Sequence, residues 1–196
     1  VICFSSQTIP ILSILRKNLL DNKKTQIIHT GELHPFYNTE VLRSIYGYEF
    51  EFKKVEKISD IPEFNGSTIF VSQQDKIGIN NLTQNIDFFI SSHPHLGSFL
   101  LVNGTQNESY ISSIQHVRRR ETIAMTPANC HISLMLLINQ SSFNNQKKNT
   151  VANKKIVLNT IKKITGTITK PLVGSSGLSI QYAIMMGLVH EAIEKH

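Results

Sequence analysis

The sequence has only two cysteines, Cys3 and Cys130, and no tryptophan. Two cysteines make no disulfide framework, so the count argues against a small disulfide-stapled secreted domain and favours a reducing, cytoplasmic compartment. No apolar run reaches the length that crosses a membrane, so we predict no membrane partner. No basic segment precedes the apolar start of the chain, VICF, so we also expect no signal peptide.

Motifs that would assign a cofactor are missing as well. The sequence contains neither G-x-x-x-x-G-K-[ST] nor G-x-G-x-x-G, the glycine patterns of common nucleotide sites. No spacing of histidine and cysteine matches a zinc site. His93 and His95 flank Pro94 in an expected loop, and although such a pair could bind a metal, we interpret both as solvated side chains. We therefore predict neither a cofactor nor a metal.

Acidic residues are fewer than basic ones, which leaves a net charge of +6. This charge permits binding to nucleic acid or to an anionic ligand. The densest basic runs are Arg118–Arg120, Lys147–Lys148, Lys154–Lys155 and Lys162–Lys163. No aromatic residues are interleaved with these runs, as stacking platforms for bases would require. A solvated face or linker is the simpler interpretation, and nucleic-acid binding stays open as an alternative.

Strand-like and helix-like segments alternate along the first two thirds of the chain. Short apolar runs predict strands in VICFSS, KTQIIHT, STIFVS and GSFLLVNG. Helical spacing of apolar residues from Ile11 to Leu19 predicts a helix between the first two strands. The apolar residues Ile79, Leu82 and Ile86, followed by Phe89 and Ile90, also share one helical face. The alternation predicts an α/β fold with a largely parallel sheet.

The last third of the chain changes in character. Residues 141–155 are polar and basic and predict a linker. Residues 171–173, PLV, are strand-like, and the following helix is apolar nearly all round up to Val189, so we expect most of it to be buried. These changes predict one domain over 1–140, a linker and helix over 141–170, and the start of a second unit over 171–196.

The stretch FVSQQDKIGINN, residues 70–81, has the place of a phosphate-binding turn between a strand and a helix. Such turns use small residues, because a phosphate needs backbone N–H groups and hydroxyls at close range. Here Gln74, Asp75 and Ile77 occupy the turn. A carboxylate close to a phosphate is unfavourable. We therefore interpret the stretch as a degenerate phosphate loop.

Four stretches, taken in order, carry a resemblance to a known family. The first strand ends in Cys3-Phe4-Ser5-Ser6, where the family has C-G-T-S, and HTGELH follows the second strand, with Glu32 as the counterpart of the family's acidic residue. The third strand ends in Ser72-Gln73, which match the first two residues of the family's S-Q-S-G-E-T. Thr126 replaces a serine that the family has before an apolar helix. The chain resembles the sugar-phosphate isomerase (SIS) part of glutamine–fructose-6-phosphate aminotransferases. The resemblance implies a three-layer αβα sandwich with a mainly parallel sheet.

The same resemblance implies a site and a function. A degenerate sugar-phosphate pocket would use Ser5, Ser6, Ser72, Gln73, Gln74 and Thr126. The family makes glucosamine 6-phosphate, on the way to UDP-N-acetylglucosamine. Its acid–base glutamate is replaced here by Ile184, which cannot move a proton. We also expect no counterpart, within these residues, of the cysteine-nucleophile domain that releases ammonia from glutamine in the family. We therefore expect a non-catalytic relative that retains at most carbohydrate-derivative binding, with no catalytic residue.

A second turn of small residues, Gly174-Ser175-Ser176-Gly177, opens the part that resembles a second SIS domain. Small residues before a helix leave free N–H donors at a positive dipole end, so the turn is a candidate anion site. A plain turn that needs glycines for its backbone angles is the alternative. Another alternative is a regulatory or interaction module, with a homo-oligomer or an SIS-domain partner, because an incomplete second unit should expose apolar residues over 180–189.

Overall fold

The computed structural model describes residues 1–33, 35, 37–73, 82, 85–120, 124–138, 150–174 and 176–195. The chain divides into two compact units, Val1–Ser142 and Phe143–His196. Within the described ranges no helix is long and apolar enough to cross a membrane. Gln74 and Ser175, two of the predicted site residues, lie outside these ranges, as do residues 75–81 of the predicted phosphate loop.

The described part of the first unit contains a six-stranded sheet in the order β1-β6-β5-β4-β2-β3. Its strands are β1 (Ile2–Phe4), β2 (Thr25–His29), β3 (Glu51–Lys54), β4 (Ser67–Gln73), β5 (Phe88–His93) and β6 (Gly97–Val102). Strands β3, β2, β4 and β5 pair in parallel, whereas β6 is antiparallel to β5 and to β1. The predicted α/β class with a mainly parallel sheet is confirmed.

The described part of the first unit contains four α-helices that pack against this sheet. They are α1 (Ile9–Leu20), α2 (Thr39–Ser44), α3 (Ser109–Arg120) and α4 (Pro127–Leu137). Local sequence explains where they begin: Pro10 and Pro127 lie in first turns, where a missing N–H costs nothing. The side chains of Asn38 and Thr126 accept hydrogen bonds from the first turns of α2 and α4.

The helices lie on both faces of the sheet because the strands alternate between two cores. Along β4, Ile69 and Val71 belong to one cluster and Phe70 belongs to the other. The first cluster includes side chains of α1 and α3, with α2 packed at its margin, and the second includes Leu137 of α4. This arrangement is compatible with the expected three-layer sandwich.

The helical face expected for Ile79 to Ile90 is wrong at its C-terminal end, where residues 88–93 form strand β5. Every residue of β5 is buried, with Phe88 and Ile90 in one cluster and Phe89 in the other. A strand covered on both faces is apolar at consecutive positions, and part of such a run always fits helical spacing. Ile79 lies outside the described residues.

The second unit departs from two expectations. Its described part holds the helices α5 (Thr150–Thr165) and α6 (Gly177–Glu194), and residues 171–173 form no strand. No described residue of α6 is buried, although we expected most of the helix to be. Both differences have one cause, since these described residues contain no sheet for a strand to join or for a helix to cover. The predicted apolar exposure over 180–189 is confirmed, for example at Leu188, which is 62% exposed.

The predicted linker over residues 141–155 is also partly wrong. Residues 141–149 lie outside the described ranges, whereas residues 150–155 already belong to α5. Lys154 and Lys155 are therefore exposed helical side chains rather than linker residues. Polar composition does not exclude a helix, because lysine has a good helical propensity.

Candidate functional site

The carboxyl ends of β1, β2, β4 and β5 meet at one edge of the sheet. Strands β2, β4 and β5 are parallel, and β1 runs in their direction because both β1 and β5 are antiparallel to β6. The chain leaves β2 for β3 on one side and leaves β4 for β5 on the other, so the connections change direction between β2 and β4. Open α/β sheets bind ligands at this edge, near such a change.

The predicted pocket residues reach this edge but lie in two groups. Ser5 and Ser6 follow β1, whereas Ser72 and Gln73 end β4, and the hairpin of β5 and β6 stands between them. Three strand spacings separate the groups by about 14 Å. The resemblance implies that these four residues line one pocket, but the structure does not place them side by side. The turn between β5 and β6 brings other side chains to their place.

Ser6 is engaged by its own backbone environment. Its hydroxyl accepts hydrogen bonds from the backbone N–H groups of Thr8 and Ile9, both at 3.3 Å, at the start of α1. Its carbonyl oxygen accepts the hydroxyl proton of Ser98 at 2.5 Å. Ser5 is exposed. Of these two predicted residues, Ser5 presents its side chain to solvent, and Ser6 organises the turn behind it.

Thr126 and Ser176 both cap helices. Thr126, exposed on the first unit, accepts from the backbone N–H of Asn129 at 3.3 Å and caps α4. In the second unit, Ser176 and Ser179 satisfy each other's backbone N–H groups at 3.1 Å at the start of α6. These bonds occupy two of the donors that an anion at this turn would use. Gly177 is the first residue of α6, so the geometry fits the alternative of a plain capped turn as well as an anion site.

A cluster of polar side chains that sequence reasoning missed lies beside Ser6. We call it the polar edge cluster and define it as Gln7, Tyr37, Ser92, His93 and Ser98. The Tyr37 hydroxyl donates to the Gln7 carbonyl oxygen at 2.9 Å, and the Gln7 amide nitrogen donates to the His93 carbonyl oxygen at 3.4 Å. Oε1 of Gln7 is buried and accepts no hydrogen bond from any described residue. A buried amide oxygen in this condition is a candidate acceptor for a ligand hydroxyl.

Tyr37 contributes a neutral hydroxyl to the polar edge cluster. Burial raises the pKa of Tyr37, so its phenol remains protonated in neutral solution and acts as a donor. The Ser92 hydroxyl lies near enough to lower that pKa a little, although it does not reach hydrogen-bond geometry with any described residue. Ser92 and Ser98 are both 0% exposed. The cluster therefore gathers hydroxyl, amide and imidazole groups at the carboxyl end of the sheet.

His93, a member of this cluster, differs from the solvated loop residue that we predicted, whereas His95 agrees with that prediction. His93 is the last residue of β5 and is 1% exposed, whereas His95 lies in the turn and is exposed. The backbone N–H of His95 donates to Nδ1 of His93 at 3.2 Å, which leaves the ring proton of neutral His93 on Nε2. The described residues contain no group of three or more metal-ligating side chains.

A second histidine environment lies at the end of β2. Nδ1 of His29 is 3.2 Å from the Gly31 carbonyl oxygen, and its ring stacks on Phe52 at a centroid distance of 4.8 Å. Burial lowers the pKa of His29, which favours the neutral ring. Glu32, the predicted acidic counterpart, is paired with Lys54 at 2.6 Å, and this partner lowers the pKa of its carboxyl. The carboxylate is thus already matched by a cation.

The basic run Arg118–Arg120 has a structural explanation in α3. It forms the last turn, where positive side chains complement the helix dipole, and Arg118 donates to Gln115 at 2.8 Å. Arg119 also lines a groove of about 440 Å³ between α1 and α3, together with Arg16. The nucleic-acid alternative stays a prediction, because no described contact tests it.

Comparison of the chain with protein families, with curated proteins and with solved structures finds no match in any of the three.

Proposed function

We propose that the first unit is a non-catalytic binding module for a phosphorylated sugar at the carboxyl edge of its sheet. One observation carries the proposal: the polar edge cluster gathers amide and hydroxyl groups beside Ser5 at the edge where α/β sheets bind ligands. Neutral donors and acceptors of this kind recognise sugar hydroxyls. The resemblance to the SIS family supplies the substrate class.

Two side chains support a non-catalytic role, Ile184 and Tyr37. Ile184 stands where the family has its acid–base glutamate, and an aliphatic group transfers no proton. Tyr37 remains protonated because burial raises its pKa, and it donates to a backbone carbonyl. Its proton is thus engaged in a hydrogen bond to the Gln7 backbone and is not poised for transfer to a substrate.

A thermal-shift titration with fructose 6-phosphate and glucosamine 6-phosphate tests the proposal, with sulfate as the control. The unfolding temperature should rise and follow RT ln(1 + [L]/Kd), so millimolar binding is visible at high ligand concentration. Gln7→Ala should weaken binding about tenfold, because it removes one hydrogen bond between neutral groups and leaves the ligand hydroxyl desolvated without this partner. Gln115→Ala, on α3, is the matched control and should bind as the wild type does.

Three outcomes would contradict the proposal. Sulfate could reproduce the whole shift, which would mean a non-specific anion effect. The sugar phosphates could also give no shift at all, in which case the edge is closed to ligands. An equal response of Gln7→Ala and the wild type would move any observed binding away from the polar edge cluster.

A second candidate function, a self-associating interaction module, is favoured by the apolar surface of α6. Ile184, Met185 and Leu188 are 49%, 52% and 62% exposed, and they lie on one helix within two turns. Light scattering of the full chain tests this function. A dimer that Leu188→Lys converts into a monomer would support it, and a monodisperse wild-type monomer would exclude it.

A further inference from the structure

The two cysteines of the chain meet in the first unit although 127 positions separate them. The thiol of Cys130, in the first turn of α4, donates to the sulfur of Cys3 in β1, with the two sulfur atoms 3.3 Å apart. Both are free thiols in this structure. Cys3 is 7% exposed, whereas Cys130 is half-buried. Nothing in the proposed sugar-phosphate site uses either sulfur.

The contact is fixed by the packing of two rigid elements. Cys3 is the middle residue of β1 and is paired with Phe99 of β6. On the other side, α4 is anchored by Leu137 in the same core cluster as Cys3. A disulfide needs the sulfur atoms to approach from 3.3 Å to about 2.05 Å, which side-chain rotation and a small shift of α4 can provide.

We propose that Cys3 and Cys130 form a reversible disulfide by exchange with low-molecular-weight disulfides such as oxidised glutathione. The half-buried Cys130 thiolate attacks the small disulfide, forms a mixed disulfide and releases one small thiolate. Cys3 then gives its proton to a thiolate and attacks the Cys130 sulfur, which releases the second small thiol. The protein loses two thiol protons and two electrons, and the small disulfide takes up both electrons and, directly or through solvent, two protons to become two thiols.

The two sulfurs have different tasks because their surroundings differ. Burial raises the pKa of Cys3 to about 12, and the neighbouring Cys130 adds to this, so Cys3 is a thiol in neutral solution. The buried sulfur is therefore the resolving group, and the more accessible one meets the reagent first. This order of events predicts that a mixed disulfide on Cys130 forms before the internal bond.

Mass spectrometry after incubation of the full chain with oxidised glutathione tests the proposal. Trypsin should release peptide 1–16 joined to peptide 121–147, because cleavage follows Arg16, Arg120 and Lys147. Dithiothreitol should separate the two peptides. The oxidised protein should unfold at a temperature roughly 5–10 °C above that of the reduced protein, since the cross-link closes a long loop.

Two variants separate the internal bond from ordinary thiol reactivity. Cys3→Ala should accumulate the mixed disulfide on Cys130 and gain no thermal stability. Cys130→Ser should form no joined peptides and react far more slowly, because only the buried sulfur remains. Wild-type protein that forms only a mixed disulfide, only intermolecular dimers, or no disulfide would overturn the proposal, and folded Cys130→Ser as reactive as the wild type would overturn the assigned order.

Discussion

Asn18 connects four elements of the first unit through one buried side chain. It lies on α1 with 1% of its surface exposed, and its Nδ2 donates to the Thr25 hydroxyl of β2 at 2.7 Å. Its Oδ1 accepts from the Tyr110 hydroxyl of α3 at 2.5 Å and from the Ser67 hydroxyl of β4 at 3.4 Å. The hydroxyl-bearing residues are buried as well, so water cannot replace a lost partner at low cost.

Replacement of Asn18 by alanine removes three hydrogen bonds and should lower the free energy of unfolding by about 3–5 kcal/mol. Each neutral hydrogen bond contributes about 1 kcal/mol net, and a buried hydroxyl left without a partner adds about 1–3 kcal/mol. Alanine recovers roughly 0.6 kcal/mol through its better helical propensity. Tyr110→Phe removes one hydrogen bond without leaving Asn18 unpaired, because Ser67 still donates to Oδ1, so it should cost only about 1 kcal/mol.

Urea unfolding followed by far-ultraviolet circular dichroism and by tyrosine fluorescence measures these losses. The double variant of Asn18 and Tyr110 should be less destabilised than the sum of the single variants, with a coupling energy of about 1 kcal/mol. Ser112→Ala, at an exposed site on α3, is the control and should change stability by less than about 0.5 kcal/mol. A loss below about 1 kcal/mol for Asn18→Ala, or zero coupling, would refute the reasoning.

Three further predictions concern backbone geometry and pH. Gly97 has φ +111°, and a Cβ there would lie 2.1 Å from the carbonyl oxygen of Phe4, so Gly97→Ala should cost about 3 kcal/mol or more in urea unfolding. Gly47→Ala, with φ +66° but open space, should cost about 1–2 kcal/mol, and equal losses would contradict the steric argument. Because the pKa of His29 is lowered in the folded protein, the unfolded chain binds more protons, and stability should fall as pH drops below 6.5. The unfolding temperature of His29→Gln should decrease less over the same pH range than that of the wild type. The raised pKa of Tyr37 makes stability fall as pH rises above 10.0, and an unchanged alkaline profile in Tyr37→Phe would contradict that assignment.

Local sequence patterns were sufficient for most elements of the first unit. Helix α1 combines Pro10 in its first turn with apolar spacing on one face, and β4 is a short apolar run that ends in polar residues. The pattern failed at β5, because a strand buried on both faces has no alternation for a sequence to display. It also failed for the burial of α6, which depends on neighbours that the described part of the second unit does not contain.

The sequence predicted the edge of the sheet at which the candidate site lies, but it did not predict all of the residues that form the site. Ser5 and Ser6 follow β1, Ser72 and Gln73 end β4, and the two strands run in one direction, so all four residues reach the same edge. No local signal indicated that a hairpin would separate them. Gln7 and its partners could not be found either, because their hydrogen bonds join residues at least 30 positions apart.

The sequence by itself determined the α/β class and the positions of most helices and strands, since these follow from local periodicity. Only the tertiary structure decided which strands are neighbours, which polar groups share the carboxyl edge and that Cys3 touches Cys130. The physical reason is that strand order and long-range contacts are selected by the simultaneous packing of distant segments against two cores. No single segment carries that information.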